Sequence, residues 1–401
     1  MGGLKQRFAT DKAAPDLGAA LATRLDKFPP GCVHALISCS KTKGDYRAPA
    51  GELYTSALFS KSRRLADACG LSFSILSAKH GLLAPDEIIE PYDLTLKTAS
   101  KDFKEEWGRR TAKQIEARLS SYKQLIFFAG SDYSDPLRMN IDDFDRRVLL
   151  PLDGLSLGFR LSVLDHASRF KTRQSKVGDL YRFFEELQKE LGRKTLPEVV
   201  GGPLPEKGVY FFFDPAERTA FSKELPRLVR IGTHGVSAGS KATLRNRLRT
   251  HLGTREGTGN HRGSVFRLHV GQCLIARDGR QDQFPGWGKG QSADRATSVR
   301  EETLEREVST YLARLQVLYL PVDGDAGKFS MRGVIENHMI ALMTENKTYP
   351  EIPSKKWLGR WSSRSEIASS GLWNVRSVGA QSDLKIVEVA DRLRQKLQKI
   401  S

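Results

Sequence analysis

Three short apolar runs in the first third of the chain, VHALISC (33–39), FSILSA (73–78) and QLIFFA (124–129), are continuous rather than alternating. A strand with one wet face alternates, whereas an unbroken run marks a strand covered on both faces. Between the runs, residues 53–69 and 100–119 carry helical periodicity. The order is therefore βαβαβ, and a doubly wound α/β domain with a parallel sheet is expected over residues 31–167. In such sheets ligands bind beyond the carboxyl ends of the strands. Residues 168–202 are charged and helical in pattern (SKVGDLYRFFEELQKELGRK) and end in GGPLPEKG, which together read as a helical linker. The second domain, 203–401, opens with the strand patterns GVYFFF (208–213) and RLVRIG (227–232). A helix LRNRLRTHL (244–252), a glycine-rich loop (253–264) and a later apolar helix with GVIENHMIALM (333–343) follow, which predicts an α+β fold.

Within the first of these helices Leu244, Leu248 and Leu252 recur every four residues and make one buried stripe. Arg247 and His251 fall on one shoulder of it, Arg245 and Arg249 on the other. Alone, this is an amphipathic helix with a solvated basic face. Charge changes the picture: 64 Lys+Arg against 47 Asp+Glu give +17, a field that favours polyanionic partners. Between 227 and 267 nine basic residues stand against one acid, Glu256. The loop GTREGTGNHRGS adds glycines that let backbone and guanidinium groups approach phosphates. Arg255, His261, Arg262 and Arg267 are therefore expected, with Arg245 and Arg249, on a nucleic-acid track. The four cysteines form no CxxC pair and no zinc-like spacing, which suits a reducing cytoplasm. No signal-peptide h-region opens the sequence and no run approaches the ~20 apolar residues of a membrane span, so the expected setting is cytoplasmic, with no membrane.

GVY at 208–210, RIG at 230–232, the helix with LRNRLRTH and the helix with GVIENHMIALM follow one another in that order. The ordered set resembles the GIY-YIG nuclease family over residues 203–375. The resemblance implies hydrolysis of a DNA phosphodiester with Mg2+ or Mn2+. That reaction needs a deprotonated water in line with the leaving oxygen, neutralised phosphoryl oxygens and help for the departing alkoxide. By resemblance, Tyr210 activates or positions the water, Arg247 neutralises phosphate charge, Glu336 holds one divalent ion and His251 exchanges a proton with the tyrosine. A strand tyrosine is equally at home in a core, and a helix glutamate in solvent. Val334, Ile335, Met339, Ile340 and Leu342 make the helix of Glu336 largely apolar, which weighs against the second alternative without removing it. Where most of the family has a second tyrosine this chain has Arg230, with His234 following in RIGTH, so both are candidates for orienting the nucleophile. Asn374 in SGLWN is the candidate for the family's downstream asparagine, with Asn337 in reserve. PGWGKG (285–290) is either a substrate-side loop or a packing loop.

In the first domain SCSKTK (38–43), SAKHGLLAPDEIIEPYD (77–93) and AGSDYSDPL (129–137) stand at the carboxyl ends of the expected strands. With GELYTS (51–56) and PLDGLSLG (151–158) they resemble the uracil-DNA-glycosylase-like superfamily, in particular the domain shared with archaeosine-synthase and related deazaguanine proteins. A glycosidic bond breaks through an oxocarbenium-like state, which needs a carboxylate near the sugar and donors to the departing base. Asp93, with Asp86 second, is the carboxylate, and Lys79 and His80 are the donors. Ser38, Ser40 and Lys41 grip a phosphate or a base edge, and Tyr54, Tyr92 or Tyr133 stack on an extruded base. The plainer alternative makes AKHGLL a capping turn and Lys41 a surface lysine.

These readings predict an enzyme of DNA whose first domain recognises or excises a base and whose second cuts the backbone, restricting foreign, base-modified phage DNA. The alternatives are a repair enzyme for damaged bases, a non-catalytic reader of modified bases that positions a nuclease, and a tRNA-modification protein with RNA as partner. The oligomeric state is left open.

Overall fold

A computed structural model describes residues 13–327 and 329–398, and the chain divides into two compact units, Met1–Thr172 and Arg173–Ser401. The first unit contains α1 (Ala14–Leu25), β1 (Val33–Ser38), β2 (Ala48–Pro49), α2 (Ala50–Leu53), α3 (Ala57–Ala68), β3 (Ser72–Ser77), β4 (Gly81–Leu83) and β5 (Ile88–Ile89). It continues with α4 (Lys101–Leu119), β6 (Gln124–Phe128), α5 (Ser131–Arg138), α6 (Phe144–Arg147), β7 (Val148–Leu149) and the start of α7 (Leu157–Leu191). The main sheet has the order β4-β3-β1-β6-β7. β3, β1, β6 and β7 are parallel, and β4 closes one edge antiparallel. The three apolar runs are the three central strands, and every residue of β1 is buried. His34 sits in that strand as a neutral group, bonded to Ser72 and Ser74 hydroxyls at 3.1 and 2.9 Å. Burial lowers its pKa to about 4. From β1 the chain steps to β3 on one side and β6 on the other, so the topological switch point lies between β1 and β6.

The second unit takes the rest of α7, then α8 (Leu196–Gly201), β8 (Gly208–Asp214), β9 (Arg227–Thr233), α9 (Leu244–Leu252) and α10 (Val265–Asp278). α11 (Arg295–Ala313), β10 (Gln316–Pro321), α12 (Met331–Thr344), α13 (Ser365–Ser370) and α14 (Ile386–Gln398) complete it. β8 is the middle strand of an antiparallel sheet of order β10-β8-β9. Its alternation sends Tyr210 and Phe212 into a core with Leu244, Leu248 and Phe266. Val209, Phe211 and Phe213 enter a second core with Val177, Tyr181, Phe184, Met339 and Ile340. Both faces are covered, which is why GVYFFF has no polar alternation.

The stretch expected to be a helical linker is not one. α7 runs unbroken from Leu157 to Leu191, and Val177, Leu180, Tyr181, Phe184 and Leu187 of its second half are buried in the core of the second unit. Their three- and four-residue spacing is the apolar stripe of a packed helix, masked in sequence by the charges on its other face. Among the described residues no helix is long and apolar enough to cross a membrane.

Tyr181 carries the deepest polar contact of that helix: its hydroxyl donates to Glu351 at 2.9 Å and accepts the Leu228 amide at 2.9 Å. Burial pushes the Glu351 carboxyl up to about 7, against the pull of Arg227 and the hydroxyls of Thr219 and Tyr181, with Glu217 as the nearby acid. A carboxyl raised above its unfolded value contributes stability that is complete below the ordinary glutamate range and is lost as pH climbs through the folded value. Glu351→Gln, neutral throughout, is expected to shrink the fall in unfolding free energy between about pH 5 and about pH 8 by ~3 kcal/mol. Urea denaturation of parent and variant at the two pH values measures it, and identical pH profiles would remove Glu351 from that role.

Candidate active site

β8 places Tyr210 opposite Gly232 of β9, and the tyrosine ring lies across that glycine. A Cβ at 232 would stand 2.4 Å from Tyr210 Cζ and Oη, so the close approach demands glycine. The phenol reaches α9: Tyr210 Oη is 2.9 Å from His251 Nε2, and His251 Nδ1 is 2.8 Å from Ser264 Oγ. α9 forms where it does because Thr243 caps it, accepting the Asn246 amide at 3.2 Å, and because Leu244 and Leu248 are buried. Burial first, then Arg247, Arg230 and Arg267, holds the His251 imidazole well below the usual histidine range. It is neutral near neutral pH and keeps one acceptor nitrogen, the state in which it can receive a proton from the phenol.

Arg230 lies on the same face, opposite Phe212. Its guanidinium stacks 4.7 Å above Phe266 and donates Nη1 to the Trp373 carbonyl at 2.5 Å. Its Nε is buried without a partner, and so is the Nε of Arg247, one turn before His251. An unanswered buried donor costs about 1–3 kcal/mol, and a phosphate oxygen is an acceptor of the kind that answers a guanidinium donor. Glu336 on α12 is half-buried beside them. Burial pushes its carboxyl up, while Arg230, Arg247, Arg376 and the Thr233 amide pull it back. Among the described residues no three His, Cys, Asp or Glu side chains gather to hold a metal. Glu336 is a carboxylate that would hold a divalent ion here, with water and substrate oxygens completing the coordination, as hard ions held by one or two carboxylates require.

Residues 171–400 match the family model for the GIY-YIG domain, more than half of the chain. The chain belongs to the GIY-YIG family. Residues 35–166 match a family of unknown function, DUF6884. No curated protein and no solved structure matches the chain. Membership makes the second unit a nuclease with DNA as its substrate, of a family generally dependent on a divalent metal.

Within the GIY-YIG unit several residues expected at the site serve the scaffold instead. His234 uses both ring nitrogens on backbone: Nε2 accepts the Gly208 amide at 3.2 Å and Nδ1 donates to the Ala242 carbonyl at 2.9 Å. It staples the start of β8 to the loop before α9 and has no nitrogen left for the reaction. Arg245 donates to the Val200 and Gly202 carbonyls at 2.6 and 2.8 Å, closing the end of α8. The expected nucleic-acid track through 253–267 turns inward. Arg262 forks onto Glu301 at 2.6 and 3.0 Å. Arg267, fully buried, binds Glu305, Ser309 and the carbonyls of His251 and Leu252. His261 faces Glu305 with Nδ1 at 2.9 Å, accepts the Gly288 amide at Nε2 and stacks 3.8 Å from Trp287, which makes PGWGKG a packing loop. Buried charge needs a partner, and Glu301 and Glu305, one turn apart on α11, are those partners. Arg249 and Arg255 alone of that track remain exposed. Asn374 binds the Ile231 amide and carbonyl, so it extends the edge of β9, and Asn337 accepts a hydrogen bond from Ser377. Ser264 and Arg376 were missed by sequence reasoning; the proximity of Arg376 to the asparagine candidate was the available signal.

In the first unit the tyrosines expected to stack on a base are tied down. Tyr54 and Tyr133 are buried. The Tyr54 and Tyr92 hydroxyls lie 2.8 Å apart, Tyr92 Oη is 2.7 Å from Ser77 Oγ, and Tyr133 Oη is 3.1 Å from Cys39 Sγ across the switch point. Tyr92 alone is half-open, with the Lys43 ammonium 4.3 Å and the Lys79 ammonium 5.6 Å from its ring centre. Ser38 and Ser40 donate to the Phe128 and Thr42 carbonyls. Lys41, Lys79, Asp86 and Asp93 are exposed. His80 is half-buried with Nε2 unpartnered, and burial, Lys79 and Arg110 lower its pKa. Cys39 and Lys43 belong to this cluster although sequence reasoning passed over them.

Gly232→Ala puts its methyl inside the Tyr210 ring, so the phenol must leave His251. DNA cleavage is expected to fall at least about tenfold, with a stability loss of about 1–3 kcal/mol. Gel cleavage and thermal melting of the variant check both, and full cleavage by a stable variant would show that the close approach is dispensable.

Proposed function

We propose that the second unit cuts DNA at a phosphate gripped by Arg247 and Arg230, with Tyr210 and His251 handling the proton of the attacking water and Glu336 holding Mg2+ or Mn2+. The observation that carries this reading is the Tyr210–His251 contact of 2.9 Å beside two guanidinium groups with unanswered donors. The phenol oxygen takes the water proton as it hands its own to His251 Nε2, so the hydroxide attacks phosphorus and the proton rests on the imidazole. Arg230, standing where most of the family has tyrosine, is a permanent cation and cannot be the base. It leaves proton transfer to the Tyr210 and His251 pair and contributes charge at the phosphate. The ion supplies further neutralisation at the phosphate and leaving oxygens.

For the first unit we propose recognition of a base at the carboxyl ends of its parallel strands, as the resemblance to the glycosylase-like superfamily implies. The polar cluster of Cys39, Lys43, His80 and Tyr92 near the switch point supports that reading. Excision asks for a carboxylate held at the sugar, and Asp93 is exposed, so recognition is the better supported half. The chain in this reading restricts DNA chosen by its bases, including foreign base-modified DNA.

Full-length protein is expected to nick or linearise plasmid in Mg2+ and to leave it intact in chelator. Arg247→Ala and Glu336→Gln should each lower the rate about 10²–10³-fold with folding retained, the loss of one transition-state contact of ~2.7–4 kcal/mol. Agarose separation of nicked and linear forms, with alkali treatment to reveal abasic sites, reads the result. Full activity in chelator or in both variants would sink the nuclease mechanism, and metal-independent alkali-labile sites would restore excision to the first unit.

A further inference from the structure

Between α13 and α14 the chain runs past the nuclease site as residues 372–379. The Trp373 amide donates to the Val229 carbonyl at 2.7 Å. Asn374 accepts the Ile231 amide at Oδ1, 3.1 Å, and donates Nδ2 to the Ile231 carbonyl at 2.8 Å. These bonds lay the segment along β9, an edge strand of the sheet. At Ser377 the backbone turns left-handed, with φ 65°, a conformation that costs a residue with a Cβ about 1–3 kcal/mol. Its hydroxyl donates to Asn337 Oδ1 at 2.7 Å, and Asn337 is the residue after Glu336 on α12. Arg376 is thus held between one anchor on the strand of Arg230 and another on the helix of Glu336. It is exposed, and it makes no hydrogen bond or ion pair among the described residues. Its charge nevertheless acts on Glu336.

An arginine that serves only solubility asks nothing of the backbone around it. Here a strained turn and anchors on two elements bring an unpaired guanidinium to the group that the nuclease reading assigns to the metal. Arg230 and Arg247 already leave donors unanswered at that place. We infer that Arg376 is a third phosphate-binding arginine, which captures a backbone phosphate of the DNA entering the site. This rests on the nuclease reading of Arg230, Arg247 and Glu336. A guanidinium fork binds two phosphate oxygens at once, and an exposed one forms that contact with the ground-state substrate. Arg376 therefore acts on capture, whereas Arg247 and Glu336 act on the transition state, and the two roles separate as KM against kcat.

The test uses full-length protein and a short DNA duplex in two arms. In chelator, fluorescence anisotropy gives Kd across a salt series; in Mg2+, steady-state cleavage gives kcat and KM. Arg376→Ala is expected to weaken Kd and raise KM about tenfold, to leave kcat within about threefold, and to make the salt dependence of log Kd shallower by about one unit. Arg376→Lys should restore the salt slope more fully than the affinity, because an ammonium keeps the charge but loses the fork. Ser377→Val, a β-branched residue forced into the left-handed region, should reproduce the loss, and Ser377→Gly should fall between it and the parent. Thermal melting is expected to be unchanged for Arg376→Ala. Unaltered Kd and salt slope in Arg376→Ala would overturn the assignment, and so would a loss confined to kcat. Failure of the parent to cleave any DNA would remove the nuclease reading, while the binding arm still decides whether Arg376 holds phosphate.

Discussion

The geometry of the nuclease unit depends on one buried guanidinium. Arg267 is fully buried, and its nitrogens reach the Glu305 carboxylate, the Ser309 hydroxyl and the carbonyls of His251 and Leu252. A charge so far from water is tolerable only when every donor is answered, so its partners cannot shift independently. One of them is the backbone of His251. The ring of the same histidine is fixed from the other end by Ser264, whose hydroxyl also accepts the Arg267 amide at 3.2 Å and so starts α10. The last turn of α9 and the first turn of α10 are therefore set by one connected group of side chains. Tyr210, already confined by Gly232, meets an imidazole with little freedom to turn away.

Much of this was legible. Tyr210, Arg247, His251 and Glu336 lie on elements whose patterns are unambiguous, an unbroken apolar strand, a leucine-striped helix and an apolar helix with one carboxylate. Their order along the chain did the rest. The central strands of the first unit were legible for the same reason, as continuous apolar runs between helical stretches. What stayed hidden was pairing across long separations. Arg262, Arg267 and His261 look like a phosphate-facing block because the acids they bind, Glu301 and Glu305, come 38 to 44 residues later. Local charge counting cannot see a partner on a distant helix. The pair does carry a mark, two glutamates one turn apart in REETLEREV, but nothing local says which cations they face. The linker failed differently: the charged face of α7 concealed a stripe that its spacing displayed.

Arg230 shows how one substitution redistributes a site. A tyrosine at that position would bring a second hydroxyl able to accept or donate a proton. Arginine brings a fixed cation, stacked on Phe266 and tethered to the Trp373 carbonyl. Burial lowers its pKa, Tyr210 and Glu336 offset that effect, and Arg247 adds to it. The influence runs both ways: burial raises the Glu336 carboxyl, and Arg230 and Arg247 pull it back down.

The same separation of paired from unpaired arginines bears on the whole-chain charge of +17. In the stretch from 227 to 267, Arg227 and Arg267 lie in buried ion pairs, Arg262 forks onto Glu301, and Arg245 is spent on two carbonyls. Their charge is cancelled or locally absorbed, and it adds little to the field that DNA meets at a distance. Lys241, Arg249 and Arg255 are the exposed cations of that stretch. A basic block in sequence is thus mostly a device for closing helix ends and holding loops. Arg227 and Arg262 also leave one buried nitrogen unanswered, but Arg230 and Arg247, whose Nε donors are unanswered too, sit where the Tyr210–His251 pair is. In the function proposed above, an anion approaching that place gains hydrogen bonds from those donors, and what singles the place out is the Tyr210–His251 pair beside the open donors rather than the density of positive charge along the chain.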